Sequence, residues 1–229
     1  MEKCIILANG KPPKKNVITF FRKSGFETLI CADGGANSAL KLGIIPDYII
    51  GDLDSVSNKA LDSFKSHSKV IKIKRQNDTD VEKCLKFAIK SGCKKVVLMG
   101  ATGNRLDHTF CNLGIILKFF HKIKIILIAE DSVLIPYSGD VELKTVPGET
   151  ISVYGIDSKT KITSSGLKYP LKNVSLPFGK KESTSNVAEK EIVQLKINGG
   201  IIFVIRDFNT LKKNNLFGFA LLENKATHR

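Results

Sequence analysis

The sequence lacks the features of a membrane protein. It has no uncharged apolar run long enough to cross a bilayer, which takes about 20 residues. Its most apolar stretch, 113–129, is interrupted by Lys118, Lys122 and Lys124. The opening MEKCIILANG carries an acid at its second position and too short an apolar run for a secretory signal peptide. We therefore expect no transmembrane helix and a cytoplasmic location.

Cysteine, histidine and tryptophan are also scarce. There is no tryptophan, there are four histidines, and the five cysteines form no Cys-x-x-Cys pair. An odd cysteine count argues against a disulfide framework, and the missing pairs argue against a zinc site. We therefore expect reduced thiols. They are Cys4, Cys31, Cys84, Cys93 and Cys111.

Acidic residues are outnumbered by basic ones. The 229-residue chain has 36 Lys and Arg against 22 Asp and Glu, which gives a formal net charge of +14. A nucleic-acid-binding module is one interpretation of such a charge. The lysines are scattered, however, and no nucleic-acid motif accompanies them, so we expect no nucleic-acid partner. A field of this sign also attracts small polyanions such as nucleotides.

Strand and helix patterns alternate over residues 1–129. Short apolar runs are separated by segments whose apolar residues recur every three or four positions. This order predicts an α/β domain whose mostly parallel sheet is covered by helices on both faces. Strands are expected at Lys3–Ala8, Thr28–Ala32, Asp47–Ile50, Lys69–Lys74, Lys95–Met99 and Lys124–Ala129, and helices at Asn16–Ser24, Ala36–Leu42, Ser57–Ser66, Asp80–Lys90 and Asp107–Phe120.

The helical period disappears after residue 130. Short strand patterns separated by turn residues predict an all-β sandwich or barrel over 130–229, with a tail at 207–229. Asn198-Gly199-Gly200 between two apolar runs predicts a hairpin, and Leu216–Leu222 is either a terminal strand or a packing segment. The expected strands are Val141–Thr145, Ile151–Tyr154, Lys161–Thr163, Val193–Ile197 and Ile201–Ile205.

Aspartates follow several strands of the predicted parallel sheet. In such sheets the ligand site lies outside the carboxyl ends of the strands. Any one acid is explained as a helix cap or first-turn acid. The whole set would repel strongly unless a cation lay among its members, and oxygen ligands without histidine or thiolate indicate Mg²⁺ or a similar ion. The set is Asp33, Asp52, Asp54, Asp78, Asp80 and Asp107.

Small residues at the same strand ends can face an anion with free backbone N–H groups. They are Asn9-Gly10, Gly34-Gly35 and the Gly100–Gly103 segment, which Arg105 follows. Neither GxxxxGK[ST] nor GxGxxG is present, which argues against a P-loop or a dinucleotide fold. The residues thus indicate a metal-dependent phosphoryl- or pyrophosphoryl-transfer enzyme and leave its acceptor open.

Taken in order, six motifs resemble the thiamine pyrophosphokinase family. They are CADGGAN (31–37), PDYIIGDLDS (46–55), QNDTDVEKCL (76–85), GATGNRLDHTFCN (100–112), SSGLKYPL (164–171) and STSN (183–186). The resemblance implies an α/β domain followed by a β-sandwich, and transfer of pyrophosphate from ATP to the hydroxyl of thiamine, with AMP as the second product. It also implies a homodimer, in which each active site combines the α/β domain of one subunit with the β-sandwich of the other.

The resemblance also implies roles for particular residues. Asp52, Asp54 and Asp80 are the expected Mg²⁺ ligands, with Asp33 as a further acid beside them. The expected catalytic group is these four acids and Arg105. The expected nucleotide and substrate contacts are Asn9, Gly34, Gln76, Gly100, Thr102, Arg105, Asp107 and His108 in residues 1–129, and Ser183, Ser185 and Asn186 on the thiamine side in residues 130–229.

Two departures from the family pattern stand out. Asn77 replaces an acid that relatives usually carry, with Asp78 one place further along. Some relatives place a C-terminal tryptophan against thiamine; an apolar or aromatic residue such as Phe208, Phe217 or Phe219 replaces it here, or the pocket is more open. Two alternatives stay open at this point: another hydroxymethyl heterocycle, such as a pterin, as the acceptor, and a binding protein without turnover.

Overall fold

The computed structural model describes residues 1–74, 77–103 and 105–217. The chain divides into two compact units, Met1–Glu130 and Asp131–Arg229. Across the described residues, no helix is both long and apolar enough to cross a membrane.

The first unit is built on a parallel sheet of six strands in the order β6-β5-β1-β2-β3-β4. Every neighbouring pair in this order runs parallel. The predicted parallel α/β arrangement is thus confirmed. The elements are β1 (Lys3–Leu7), α1 (Lys15–Lys23), β2 (Thr28–Ala32), α2 (Gly35–Leu42), β3 (Tyr48–Gly51), α3 (Asn58–Phe64), β4 (Lys69–Lys72), α4 (Asp80–Lys90), β5 (Lys95–Met99), α5 (Leu106–Phe119) and β6 (Lys124–Ala129).

The central strands are buried because helices cover the sheet. Ile5, Ile6 and Leu7 of β1 are all fully buried, as expected for a strand with both faces covered. Helix α4 packs on β1, β2 and β3. The Thr79 hydroxyl caps α4 by accepting a hydrogen bond from the Glu82 amide at 3.3 Å. This cap fixes where α4 begins, and therefore where Asp80 lies.

The second unit is antiparallel. Strand β11 is 16 residues long and pairs with β7 along both of its halves. Its first half also pairs with β9, and its second half with β8, which in turn pairs with β10. A long strand shared between two layers is how β-sandwiches turn their corners. The elements are β7 (Ser132–Lys144), β8 (Thr150–Gly155), β9 (Lys161–Ser165), β10 (Ser183–Val187), β11 (Ile192–Asp207) and α6 (Phe208–Lys213).

The predicted hairpin at Asn198-Gly199-Gly200 is wrong. The two runs beside it belong to the single strand β11, and its register against β7 shifts between Ile197 and Ile202. Gly199 has a φ of 92°, and Gly139 on the facing strand has a φ of 72°. Glycines with positive φ on both strands near the register shift are consistent with a bulge, in which the chain continues instead of reversing.

One further prediction in this unit differs from the structure, and two elements were not predicted. Strand β7 begins at Ser132 instead of Val141, because Gly139 bends the strand without ending it. The STSN segment lies in strand β10, and a short helix, α6, follows β11 where no helix was expected. Of the segment Leu216–Leu222, only the first two residues lie within the described part of the chain.

A buried ion pair joins two parts of the second unit. The Arg206 guanidinium donates from Nε to Glu149 Oε1 at 2.6 Å and from Nη2 to Glu149 Oε2 at 2.8 Å. Both side chains are 1% exposed. Arg206 Nη2 also donates to the Lys144 carbonyl at 2.7 Å. Burial makes each charge dependent on the other, because neither has water to solvate it.

Glu149→Gln should therefore destabilise the protein strongly. The amide leaves the Arg206 charge buried without a counter-charge, which typically costs about 3–5 kcal/mol. Chemical denaturation measures the change in the free energy of unfolding. Glu189→Gln, at an exposed position, is the matched control and should change it by less than about 0.5 kcal/mol. Equal small effects in both variants would contradict this role for the pair.

Candidate active site

A cleft of about 430 Å³ opens in the first unit. Its lining comes from the carboxyl ends of four strands: Asn9 follows β1, Asp33 follows β2, Asp52 follows β3 and Gly100 follows β5. Asp80, at the start of α4, completes this wall. The cleft thus lies at the sheet edge where parallel α/β folds bind ligands.

Three aspartates converge in the cleft. One carboxylate oxygen each from Asp33, Asp52 and Asp80 lies within 4.8 Å of the other two. Asp33 is 3% exposed and has a φ of 44°, an uncommon left-handed conformation for a residue other than glycine. The Ser55 amide donates to Asp33 Oδ2 at 3.2 Å. Asp33 Oδ1 is buried and has no hydrogen-bond partner among the described residues.

Lys83 reaches into this carboxylate group from α4. Its ammonium Nζ lies 2.8 Å from Asp80 Oδ1 and 3.9 Å from Asp52 Oδ2, and its side chain is 2% exposed. The sequence analysis missed Lys83. Its signal was the spacing of three residues from Asp80, which brings two side chains together on one helix face. That spacing is so common on helix surfaces that it does not indicate burial.

The surroundings shift the acid–base properties of both buried groups. Burial raises the pKa of Asp33 above its usual value, and the nearby Asp80 carboxylate raises it further, against hydrogen bonds from Ser55 and Gly34 that lower it. Burial opposes the charge of Lys83. The hydrogen bond to Asp80 and attraction to Asp80, Asp52 and Asp33 nevertheless raise the Lys83 pKa. Lys83 is therefore a cation at neutral pH.

The donor atoms fit a hard divalent cation. They are all carboxylate oxygens, which Mg²⁺ prefers. Asp33 Oδ1 is a buried acceptor without a hydrogen bond from any described residue, and a bound ion would supply the missing partner. Three carboxylates and one ammonium leave a formal charge of −2, which one divalent ion would neutralise.

Asp54, also expected as a ligand, lies outside this group of three. It is exposed, its amide donates to Asp52 Oδ1 at 3.3 Å, and its Oδ1 accepts from the Ser55 hydroxyl at 2.9 Å. Leu53, between the two acids, has a φ of 68°, so the GDLDS segment turns sharply there. Asp78 lines the cleft and forms an ion pair with Lys86 at 2.6 Å.

The GATG segment is held in the cleft lining by hydrogen bonds to its backbone. The Gly10 amide donates to the Gly100 carbonyl at 2.6 Å, and Asn112 Nδ2 donates to the Ala101 carbonyl at 2.7 Å. Gly100 has a φ of 63°, and a Cβ there would lie 2.5 Å from the Ala8 carbonyl oxygen. Only glycine fits that position, so this turn places Thr102 in the cleft lining.

Arg105 and His108 line the cleft at the start of α5. The exposed Arg105 guanidinium contacts both oxygens of Asp107, at 3.0 and 2.5 Å, and holds the pKa of Asp107 at about 2. Asp107 and Gly34 are not among the lining residues. Gln76 lies outside the described residues.

The three residues expected to contact thiamine lie in β10 of the second unit. Asn186 is 2% exposed, and its side-chain amide is engaged within the chain. Its Oδ1 accepts from the Tyr169 and Val187 amides, and its Nδ2 donates to the Tyr169 carbonyl and to Ser183 Oγ. Ser185 is exposed and has a φ of 55°. Asn186 therefore fixes the backbone around Tyr169, a residue that is 61% exposed.

The aromatic candidates to replace a tryptophan differ in their placement. Phe208 is 3% exposed, and its ring centroid lies 5.3 Å from that of Phe217. Phe208 is therefore part of the core of the second unit. Phe219 lies outside the described residues.

Carboxylates, glycine turns and an arginine lie together at the carboxyl-terminal edge of the parallel sheet. This arrangement is typical of enzymes that transfer phosphoryl groups, and here a β unit follows the α/β unit. Two family models match this chain. Residues 23–127 match "Thiamin pyrophosphokinase, catalytic domain", and residues 135–202 match "Thiamin pyrophosphokinase, vitamin B1 binding domain". The chain belongs to the thiamin pyrophosphokinase family.

Individual relatives agree with this assignment. The chain is 31% identical over 227 residues to thiamin pyrophosphokinase 1 of Caenorhabditis elegans, covering 92% of this chain and 91% of the relative. The solved thiamine pyrophosphokinase of Bacillus subtilis is 25% identical, with a TM-score of 0.76 over 90% of this chain and 99% of that one. The Candida albicans structure, at 20% identity and a TM-score of 0.77, covers 90% of each chain and supports the fold.

Proposed function

We propose that the protein is a thiamine pyrophosphokinase, which transfers pyrophosphate from ATP to the hydroxyl of thiamine and yields thiamine diphosphate and AMP. The observation that carries this proposal is the match of both units to the two domains of one family. No finding favours a pterin or another heterocycle as the acceptor. The first unit is the proposed catalytic unit, and the second the proposed thiamine-binding unit.

Mg²⁺ is the proposed metal, with ATP as co-substrate. Asp33, Asp52 and Asp80 would hold the ion, since their oxygens already lie within 4.8 Å of one another. Asp54, which is exposed and lies in the same GDLDS segment as Asp52, is the further proposed ligand of this ion. When bound, the ion supplies positive charge that offsets the phosphate oxygens, as in other phosphoryl transfers.

The chain's own residues would orient the reactants. Arg105, His108 and Asn9 line the cleft beside the GATG turn and are the proposed nucleotide contacts. Arg105 supplies a charge that stays positive. The thiamine hydroxyl must lose a proton, and the proposed base is Asp33 or Asp80, through a carboxylate oxygen that the ion does not use. Asp80 Oδ1 already accepts from the Lys83 ammonium, which favours Asp33.

A homodimer with shared active sites is the proposed assembly, and the cytoplasm the proposed location. The family's B1-binding model covers Ser183, Ser185 and Asn186, so these residues remain the proposed thiamine side of the site. The five cysteines are all free, which agrees with a reducing compartment.

The reaction is tested with purified protein, thiamine, ATP and Mg²⁺. AMP and thiamine diphosphate should appear in equal amounts, and removing thiamine should abolish AMP formation. Chromatography separates the nucleotides and the thiamine esters. ADP with thiamine monophosphate as the products would overturn the proposal.

Asp52→Asn and Asp54→Asn should each lower kcat by about a hundred-fold or more, because each removes a proposed metal ligand. The thermal midpoint should change little. Asp62→Asn is the matched control: Asp62 is exposed on α3 and pairs only loosely with Lys65, at 3.8 Å. Full activity in both Asp52 and Asp54 variants would refute the metal assignment.

Mixing two variants tests the shared site. Asp52→Asn disables the first unit, and Ser183→Ala with Ser185→Ala should weaken thiamine binding by the second. After subunit exchange at low thiamine, activity should return to about a quarter of the wild-type value, because mixed dimers carry one intact site. No recovery, with exchange confirmed by mass, would mean that each subunit contains its own complete site.

A further inference from the structure

Lys83 differs from the other lysines that pair with acids of the α4 region. The side chains of Lys86, paired with Asp78, and Lys118, paired with Glu82, are 44% and 58% exposed. In both pairs only the carboxylate is largely buried, Asp78 at 10% and Glu82 at 8% exposure, and the lysine keeps contact with solvent. The Lys83 side chain is 2% exposed. Burying an ammonium is costly unless carboxylates surround it, so its position has to be explained by the aspartates it contacts.

The geometry makes Lys83 both a partner and a competitor of a bound metal ion. Its ammonium occupies one direction of approach to Asp80 Oδ1, at 2.8 Å, and stands 3.9 Å from Asp52 Oδ2. A divalent ion held by Asp52 and Asp80 would be close to Nζ, because the ammonium already contacts both carboxylates. Two cations so close in a partly buried site repel each other appreciably.

We infer that Lys83 is the resident counter-ion of the aspartate cluster: it holds Asp80 and Asp52 together before the metal arrives, and it weakens binding of the free metal ion. This inference rests on the proposed function. Its consequence is that the metal binds well only together with nucleotide phosphates, which bring the negative charge that offsets Lys83. Lys83 is in this sense a positioning residue, since it acts through the carboxylates.

A purely structural role for Lys83 predicts a different metal affinity for its variants. If the side chain served only to fill space and donate a hydrogen bond, its replacement would change stability and leave the affinity for metal unaltered or reduced. Only a charge that opposes the ion makes the affinity rise when it is removed. Metal affinity without nucleotide therefore separates the two roles.

The test uses Lys83→Met and Lys83→Gln, with Lys86→Met as the matched control on the same helix. Free Mn²⁺ is titrated without nucleotide and followed by electron paramagnetic resonance, and thermal midpoints are recorded with and without Mg²⁺. Both Lys83 variants should bind Mn²⁺ about ten-fold or more tightly than wild type. Both should melt lower than wild type without metal and regain most of that loss in saturating Mg²⁺. Lys86→Met should match wild type in both measurements.

Equal or weaker Mn²⁺ affinity in the Lys83 variants would overturn the inference, and so would variants that stay unfolded in saturating Mg²⁺. The inference would also be overturned if Lys83→Gln bound Mn²⁺ with wild-type affinity while Lys83→Met bound it more tightly, because the effect would then belong to the hydrogen bond and not to the charge. If wild type forms thiamine diphosphate and AMP while the affinities are equal, the inference alone fails. If wild type lacks that activity, the proposed function fails whatever the affinities.

Discussion

The site depends on keeping three carboxylates close together against their mutual repulsion. Parallel register brings them to one edge: Ala32 of β2 is level with Ile50 of β3, so Asp33 and Asp52 follow their strands at nearly the same height. The Asp33 amide donates to the Ile50 carbonyl at 2.9 Å and secures this alignment. The backbone thus sets the positions of the acids, and the Lys83 charge compensates part of the resulting repulsion.

The first unit could be predicted almost in full from sequence because its signals are local. Helix α4 shows buried residues at helical spacing, and its observed bounds, Asp80–Lys90, are the predicted ones. The second unit was harder to predict because glycine in a strand region is compatible either with a turn between two strands or with a bulge inside one strand. Asn198-Gly199-Gly200 satisfies the local rule for a hairpin, yet both flanking runs pair with β7. Which structure forms is decided by a strand some 60 residues earlier in the chain, and no local pattern reports that.

Part of the site was equally open to prediction. The strand-end rule, which needs only the order of strands, predicted that six aspartates lie together, and the structure groups three of them, Asp33, Asp52 and Asp80. It could not find Lys83, whose burial depends on α4 packing against the sheet. Nor could it show that the Asn186 amide is engaged with Tyr169 and Ser183, because that requires β10 to lie beside the Tyr169 segment. Motifs give the residue types of a site, whereas side-chain partners follow from tertiary packing.

The distribution of charge in this chain bears on which form of the nucleotide it would select. A net charge of +14 attracts any polyanion, including free ATP. Within the cleft, the cluster of Asp33, Asp52 and Asp80 with Lys83 has a formal charge of −2, and this local charge repels free phosphates at short range. A metal–nucleotide complex avoids this repulsion and is still attracted to the protein. Its net negative charge is attracted by the positive charge of the protein at long range, and its metal ion faces the aspartates at short range. In the proposed function, the basic surface would therefore raise the rate of encounter, and the acidic cleft would reject nucleotide that arrives without its metal.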